Sequence, residues 1–330
     1  MMQGIRAQTI AGLCCLLLSP ALVHGQLLDV DNIDYEAELT AWGHPDIQGV
    51  WDRRTITPLQ RPERLADKAF LTPEEIRSYE RLSAERSDGR PLDSGRIILT
   101  VHDPDDLDYG TEVLPTGQTS LIVDPPDGRL PERSEAGRER AAARAREREG
   151  RGPADSYTDR SLLERCITWG VPGGMLPQPY NNNLLIVQTP DTVMIMNEMV
   201  HDVRIIPLDG RPHLPDTVRL WHGDSRGYWE GETLVIESSN FSEKTRFFGA
   251  SENLELIERF TRVNGDILLY EFTVEDPTTW VRPWSISLPM TRTDQPLYEY
   301  ACHEGNYAMR NMLSVARNLE KQEREAAGND

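Results

Sequence analysis

From residue 184 to residue 290 apolar and polar positions alternate with a period of two, as in strands that bury one face and wet the other. Leu184 to Gln188 and Val193 to Glu198 flank Thr189-Pro190-Asp191-Thr192, which predicts a hairpin with a four-residue connection. Val203 to Pro207 runs into Asp209-Gly210, and Gly227 to Trp229 is joined to Thr233 to Glu237 through Glu230-Gly231. Asn264-Gly265 between Leu256 to Val263 and Ile267 to Val274 is the strongest short-range hairpin signal in the chain. Leu268, Tyr270, Phe272 and Val274 share one face of their strand, as do Trp284, Ile286, Leu288 and Met290 of theirs. Both sets predict half-buried antiparallel strands.

The rest of the chain is less regular. Pro45 to Trp51 reads as a turn feeding a short strand. Thr72-Pro73-Glu74-Glu75 supplies an N-cap, a proline at the first helical position and acids in the first turn, so a helix is predicted to about Glu85. Ser87 to Gly117 reads as loop with a strand near Ile97 to Val101, and Thr119 to Val123 as a strand stopped by Asp124-Pro125-Pro126-Asp127-Gly128. Glu132 to Gly152 alternates Arg, Glu and Ala: helical by propensity, without a face to bury, and expected to be a solvated arm. Met309, Met312, Leu313, Ala316 and Leu319 predict an amphipathic helix packed on the sheet.

With Ile47 to Trp51 included, roughly eight to ten strands joined by short turns predict a mainly β fold. Its form is an antiparallel meander closed as a barrel or a strongly curled sheet. The expected divisions are a leader (1–25), an N-terminal region whose strands join the sheet (26–131), a charged arm (132–160), the antiparallel domain (161–305) and a helix with its tail (306–330).

Composition adds a compartment. Arg6, an apolar run from Ile10 to Val23 and small residues before Gln26 predict a cleavable secretory leader and a periplasmic or secreted protein. The run is too short for a bilayer span of about 20 residues, and no later stretch is long and apolar enough. Loss of the leader leaves Cys166 and Cys302, most simply one disulfide, with two separate buried thiols as the alternative. The net charge of −19 comes from 54 acidic against 35 basic residues, and makes nucleic acid and anionic lipid surfaces poor partners.

Gly49-Val50-Trp51 on the first strand resembles the opening of lipocalin-like (calycin) barrels. That resemblance implies a tryptophan plugging one end and a pocket open at the other. Longer phrases, among them Ser120 to Arg129, Asp224-Ser225-Arg226-Gly227, Trp229-Glu230-Gly231 and Ala301 to Asn306, resemble an uncharacterised family of exported bacterial proteins. This second resemblance implies export and shared architecture, and no activity.

The densest polar constellation holds His201, Asp202, Arg204, Asp209, Arg211, His213, His222, Asp224, Arg226 and Glu230. Titratable groups on loops of a rigid sheet are where sites are built. A histidine beside a carboxylate can act as base, and an arginine can hold substrate charge. Catalytic candidates are therefore His201, Asp202, Arg204, His222, Asp224, Arg226 and Glu230; the alternative is that they solvate turns and brace the barrel mouth. A metal site is not expected, because His201, His213 and His222 match no compact ligand spacing, and no cofactor is implied. Candidate residues for an apolar cavity are Trp51, Met194, Met196, Trp229, Tyr270 and Trp284. Two functions follow as expectations: binding of a small amphipathic or apolar ligand, or cofactor-independent hydrolase, lyase or isomerase chemistry at the same mouth.

Overall fold

The fold is that of a computed structural model, which describes residues 27–30, 34–85, 108, 110–245 and 247–328. The leader, the strand expected near Ile97 to Val101 and His102 lie outside the described residues. Ten strands form one sheet: β1 (Gly49–Asp52), β2 (Ile122–Asp124), β3 (Asn183–Gln188), β4 (Thr192–Asn197), β5 (Val203–Pro207), β6 (Asp224–Glu230), β7 (Thr233–Ser239), β8 (Glu255–Arg262), β9 (Ile267–Glu275) and β10 (Trp284–Thr293). The path across it is β5-β4-β3-β1-β10-β9-β8-β7-β6. One edge of β10 is taken by β9; the other is shared end to end by β2, at Ser285 and Ile286, and by β1, at Thr291 to Thr293. The hairpins at Thr189 to Thr192, Glu230-Gly231 and Asn264-Gly265 form as expected.

Every ladder along that path is antiparallel. The path holds nine strands, an odd number, so its two edge strands β5 and β6 must run in the same direction. The sheet curls until they lie side by side: a Cβ added to Gly227 of β6 would sit 2.7 Å from Leu208 Cδ2 and 2.9 Å from Ile206 Cγ2. No ladder joins them, and the ring is open at this seam. Parallel neighbours need a return connection of a dozen or more residues. Here residues 208–223 make that return from the end of β5 to the start of β6.

The concave face is filled by side chains. Leu268, Tyr270, Phe272 and Val274 of β9 and Trp284, Ile286, Leu288 and Met290 of β10 are all buried, on the face their alternation predicts. Trp284 sits among Phe247, Phe272 and Trp280, with ring centroids 5.7 to 5.8 Å away. Burial of each such side chain contributes roughly 1.5–3 kcal/mol.

The helices decorate this sheet. In α1 (Pro73–Ala84) Thr72 and Glu75 form the expected capping box. In α2 (Glu135–Glu147) only Gly137 is buried, against the carbonyl of Thr279 where a Cβ would meet oxygen at 2.5 Å. The C-terminal helix α3 (Ala308–Ala327) keeps the expected stripe only in part: Met309, Met312, Leu313 and Ala316 are half-buried, Leu319 is 53 % exposed and no residue is fully buried. It is held to the segment before β3 by Arg317 bonding to the carbonyls of Ala154 and Asp155. The Cys166–Cys302 disulfide, with Cα atoms 5.8 Å apart, brings the chain leading into α3 to that segment. Among the described residues no helix is long and apolar enough to cross a membrane.

Candidate functional site

The end of β7 and the starts of β6 and β8 meet at one end of the curled sheet, which the chain leaving β1 reaches at Thr55 to Leu59. Over this end lies a cleft of about 1000 Å³, within the range of ligand pockets. Its walls are the irregular segment 157–178, the strand exit at Thr55 to Leu59, and Lys244, Thr245, Phe247 and Phe248 between β7 and β8. Glycines let the walls close up. Gly170 has φ +83°, and a Cβ there would press on Thr245 at 3.1 Å; one on Gly173 would meet the Trp169 ring at 3.3 Å.

Beneath the cleft the fully buried Arg53 ties the wall to the sheet. Its Nε–H donates to Leu176 O (3.1 Å) and its Nη1 to Asn197 Oδ1 (2.9 Å). Burial lowers the Arg53 pKa to about 10, against the opposing pull of Glu198 and Asp52. At the rim Tyr157, Trp221 and Phe248 are exposed. Phe248 is held at φ +49°, an outlier for a bulky residue and a form of strain that gathers at ligand sites.

The polar constellation expected at the mouth divides into separate sets, one of which bridges the seam and another of which ties β6 to the return connection. Thr168, Asp202 and His222 make the first. Thr168 Oγ1 lies 2.8 Å from Asp202 Oδ2 and 2.7 Å from His222 Nε2, and accepts from the Gly170 N–H at 2.8 Å. Asp202 Oδ2 also accepts from the Trp169 N–H, and Oδ1 stands 3.5 Å from His222 Nε2. Burial alone would raise the Asp202 carboxyl, but its bonds to His222, the Trp169 N–H and Thr168 outweigh burial and leave it below the usual carboxylate range. Ionised Asp202 can only accept, so it takes the single Thr168 hydroxyl proton, and His222 Nε2 must carry its own proton toward Thr168. That polarity is the reverse of a histidine activating a hydroxyl.

In the second set Asp224 accepts from the Leu214 N–H (2.8 Å) and Arg226 (2.7 Å) and lies 3.1 Å from His213 Nδ1. These bonds overcome burial and hold the Asp224 carboxyl low. Arg226 also donates to the carbonyls of Arg211 and Pro212, so the pair pins the return connection over the seam. The third set lies inside the ring, where buried Arg204 of β5 makes a bidentate pair with Glu258 of β8 (2.6 and 2.9 Å) and Tyr270 donates to Glu258 (2.8 Å). Glu258 lifts the Arg204 pKa in spite of burial, while burial and Glu258 push the Tyr270 hydroxyl well up. His201 is exposed, with Nδ1 3.1 Å from Tyr300 O, and Glu230 pairs with Arg259 on the outer surface. Arg204, His222, Asp224 and Arg226 line a smaller hollow of about 520 Å³ at the seam; Thr168 and Trp221 line both hollows.

Comparison with protein-family models, with curated proteins and with solved structures finds no significant match. Function is therefore argued from the site alone.

The residues expected to line an apolar cavity are placed as follows. Trp51 is buried at the end of the ring away from the cleft, its Nε1–H donating to Ile47 O (3.0 Å), with the guanidinium carbons of Arg262 and Arg292 5.8 and 6.0 Å from its ring. Tyr270 and Trp284 are buried in the packed interior, and Trp229 is half-buried against it. Met194 and Met196 alternate with buried Val193, Ile195 and Asn197 and so face outward. None of the six lines the larger cleft. Sequence reasoning missed the residues that do: Trp169, Tyr157, Arg148, Arg160 and Arg165 lie in or beside the irregular segment, and Trp221 and Phe248 lie in connections between strands. The available signal was the aperiodic, glycine-rich stretch Trp169 to Gly174 between the arm and the sheet, since binding groups concentrate on such loops. Among the described residues no group of three or more His, Cys, Asp or Glu could hold a metal ion.

Proposed function

We propose that this is an exported, barrel-like protein that binds a small amphipathic ligand in the cleft at one end of its curled sheet. The observation that carries the reading is the cleft itself: about 1000 Å³, with Leu59, Leu121 and Val171 in its walls and Tyr157, Trp221 and Phe248 at its rim. Solvent-exposed aromatics converging on a concave surface are what an apolar ligand body would cover. Support for the barrel reading comes from the adjacent edges β5 and β6 and from Trp51 buried away from the cleft. Both features agree with the lipocalin-like resemblance. Export rests on the leader read at residues 1–25, and the Cys166–Cys302 disulfide is compatible with it.

Acid-base catalysis by His201, His222 and their carboxylates has less support. The candidates lie in separate networks, and Nε2 of His222 is committed to Thr168 and Asp202.

The test is titration with the neutral dye N-phenyl-1-naphthylamine, alongside native mass spectrometry of protein taken from its own envelope for a retained small molecule. The dye should brighten on binding, and Trp221→Ala with Phe248→Ala should weaken it about tenfold. A dye that stays as dark as in buffer, with no small molecule retained, would overturn the reading.

A further inference from the structure

The charge around the cleft is opposite to that of the chain. Acidic residues outnumber basic ones 54 to 35. Among the described residues every charged side chain that lines the cleft is nonetheless basic: Arg148, Arg160, Arg165 and Lys244. They come from three places, the end of α2, the segment that follows it, and the connection between β7 and β8. No single helix face or turn motif accounts for their meeting.

Their local partners leave much of that charge unspent. Among the described residues Arg148 and Lys244 form no close side-chain ion pair, Arg148 acting on Asp159 only from a distance while Arg151 holds that carboxylate. Arg165 lies with its guanidinium carbon 5.0 Å from the Tyr157 ring centroid, an arrangement that keeps its charge. Only Arg160 is paired, with Glu164, and its buried Nε–H still has no acceptor. Converging cations with low-dielectric walls focus their field on the space between them and raise the local concentration of anions. Arginine forks in particular suit carboxylate, sulfonate and phosphate oxygens.

We infer that the ligand of this cleft is a small organic anion, with an apolar body against the aromatic walls and its acid group held by Arg148, Arg160, Arg165 and Lys244. The inference rests on the reading of the cleft as a ligand site and adds the sign of the ligand. It also gives the cationic cluster a reason in a chain whose overall charge repels anions, since only local focusing can overcome that repulsion.

The experiment compares two dyes that differ by one group, 1-anilinonaphthalene-8-sulfonate and its neutral parent N-phenyl-1-naphthylamine, by fluorescence titration of the full protein. The sulfonate should bind about tenfold more tightly at low ionic strength, and the advantage should shrink as salt is added. The double substitution Arg148→Gln, Lys244→Gln should erase the advantage. Arg129→Gln with Lys321→Gln, which removes equal charge away from the cleft, should leave both affinities as they were. Equal binding of the two dyes, or an advantage that survives the first double substitution, overturns the anionic ligand while leaving the cleft reading intact. Failure of both dyes to bind overturns the two together.

Discussion

Arg204 and Glu258 show how a residue's role depends on which way its side chain points. Both carry charge into the interior of the ring, Glu258 at 0 % exposure, and they offset their desolvation only through each other and Tyr270. Removing one partner strands a buried charge, so Glu258→Leu should destabilise the fold by about 3–5 kcal/mol in urea denaturation, and Arg204→Met with Glu258→Leu should recover most of that loss. An equal loss in the double variant would count against the pair as the cause. The Thr168 network makes a second prediction at this scale. In the folded protein ¹⁵N chemical shifts of His222 should report the Nε2–H tautomer, and Thr168→Val should cost about 1–3 kcal/mol by leaving Asp202 and His222 under-satisfied. A neutral His222 with Nδ1 protonated would contradict the assignment. Types and positions of these residues were legible in the sequence. Their partners were not, because Arg204 to Glu258 and Thr168 to His222 span 54 residues each.

At the scale of elements, local chemistry was the reliable guide. The capping box of α1 and the Asn264-Gly265 hairpin need only neighbours a few residues apart, and both form where the sequence places them. For α3 periodicity marked the half-buried stripe Met309, Met312, Leu313 and Ala316 but not what lies beside it, which is not chiefly the sheet. The disulfide and Arg317 also tie the helix to the segment before β3. Closing a loop of 136 residues is worth about 5 kcal/mol in the chain-entropy model. The double substitution Cys166→Ser, Cys302→Ser should therefore lower the melting temperature. In hydrogen exchange, α3 and residues 157–168 should lose protection while β8 and β9 keep theirs. Unchanged protection of α3 would show that its own contacts hold it.

For the molecule as a whole, acid should be the condition that opens the fold. Asp202, Asp224 and Asp276 all lie below the usual carboxylate range: burial opposes this in each, but their hydrogen-bond donors prevail. A depressed folded pKa gives stability that is present above the unfolded value of about 3.9 and is lost as pH falls through the folded value. Melting temperature should thus hold from neutral pH down to about 4 and drop below it, and Asp224→Asn should flatten part of that drop. A loss of stability already under way at pH 6 would point to other groups. The same scale separates what the chain alone determined from what only its folding decided. Strand faces, hairpins, the α1 cap, the cysteine pair and the acidic net charge depend on residue type and short spacing, so they could be read directly. The open parallel seam between β5 and β6, the division of the polar constellation into separate networks, and the basic lining of the cleft could not. They arise because an odd number of antiparallel strands curls into a ring, which brings residues from distant segments together by geometry and leaves no mark on local sequence.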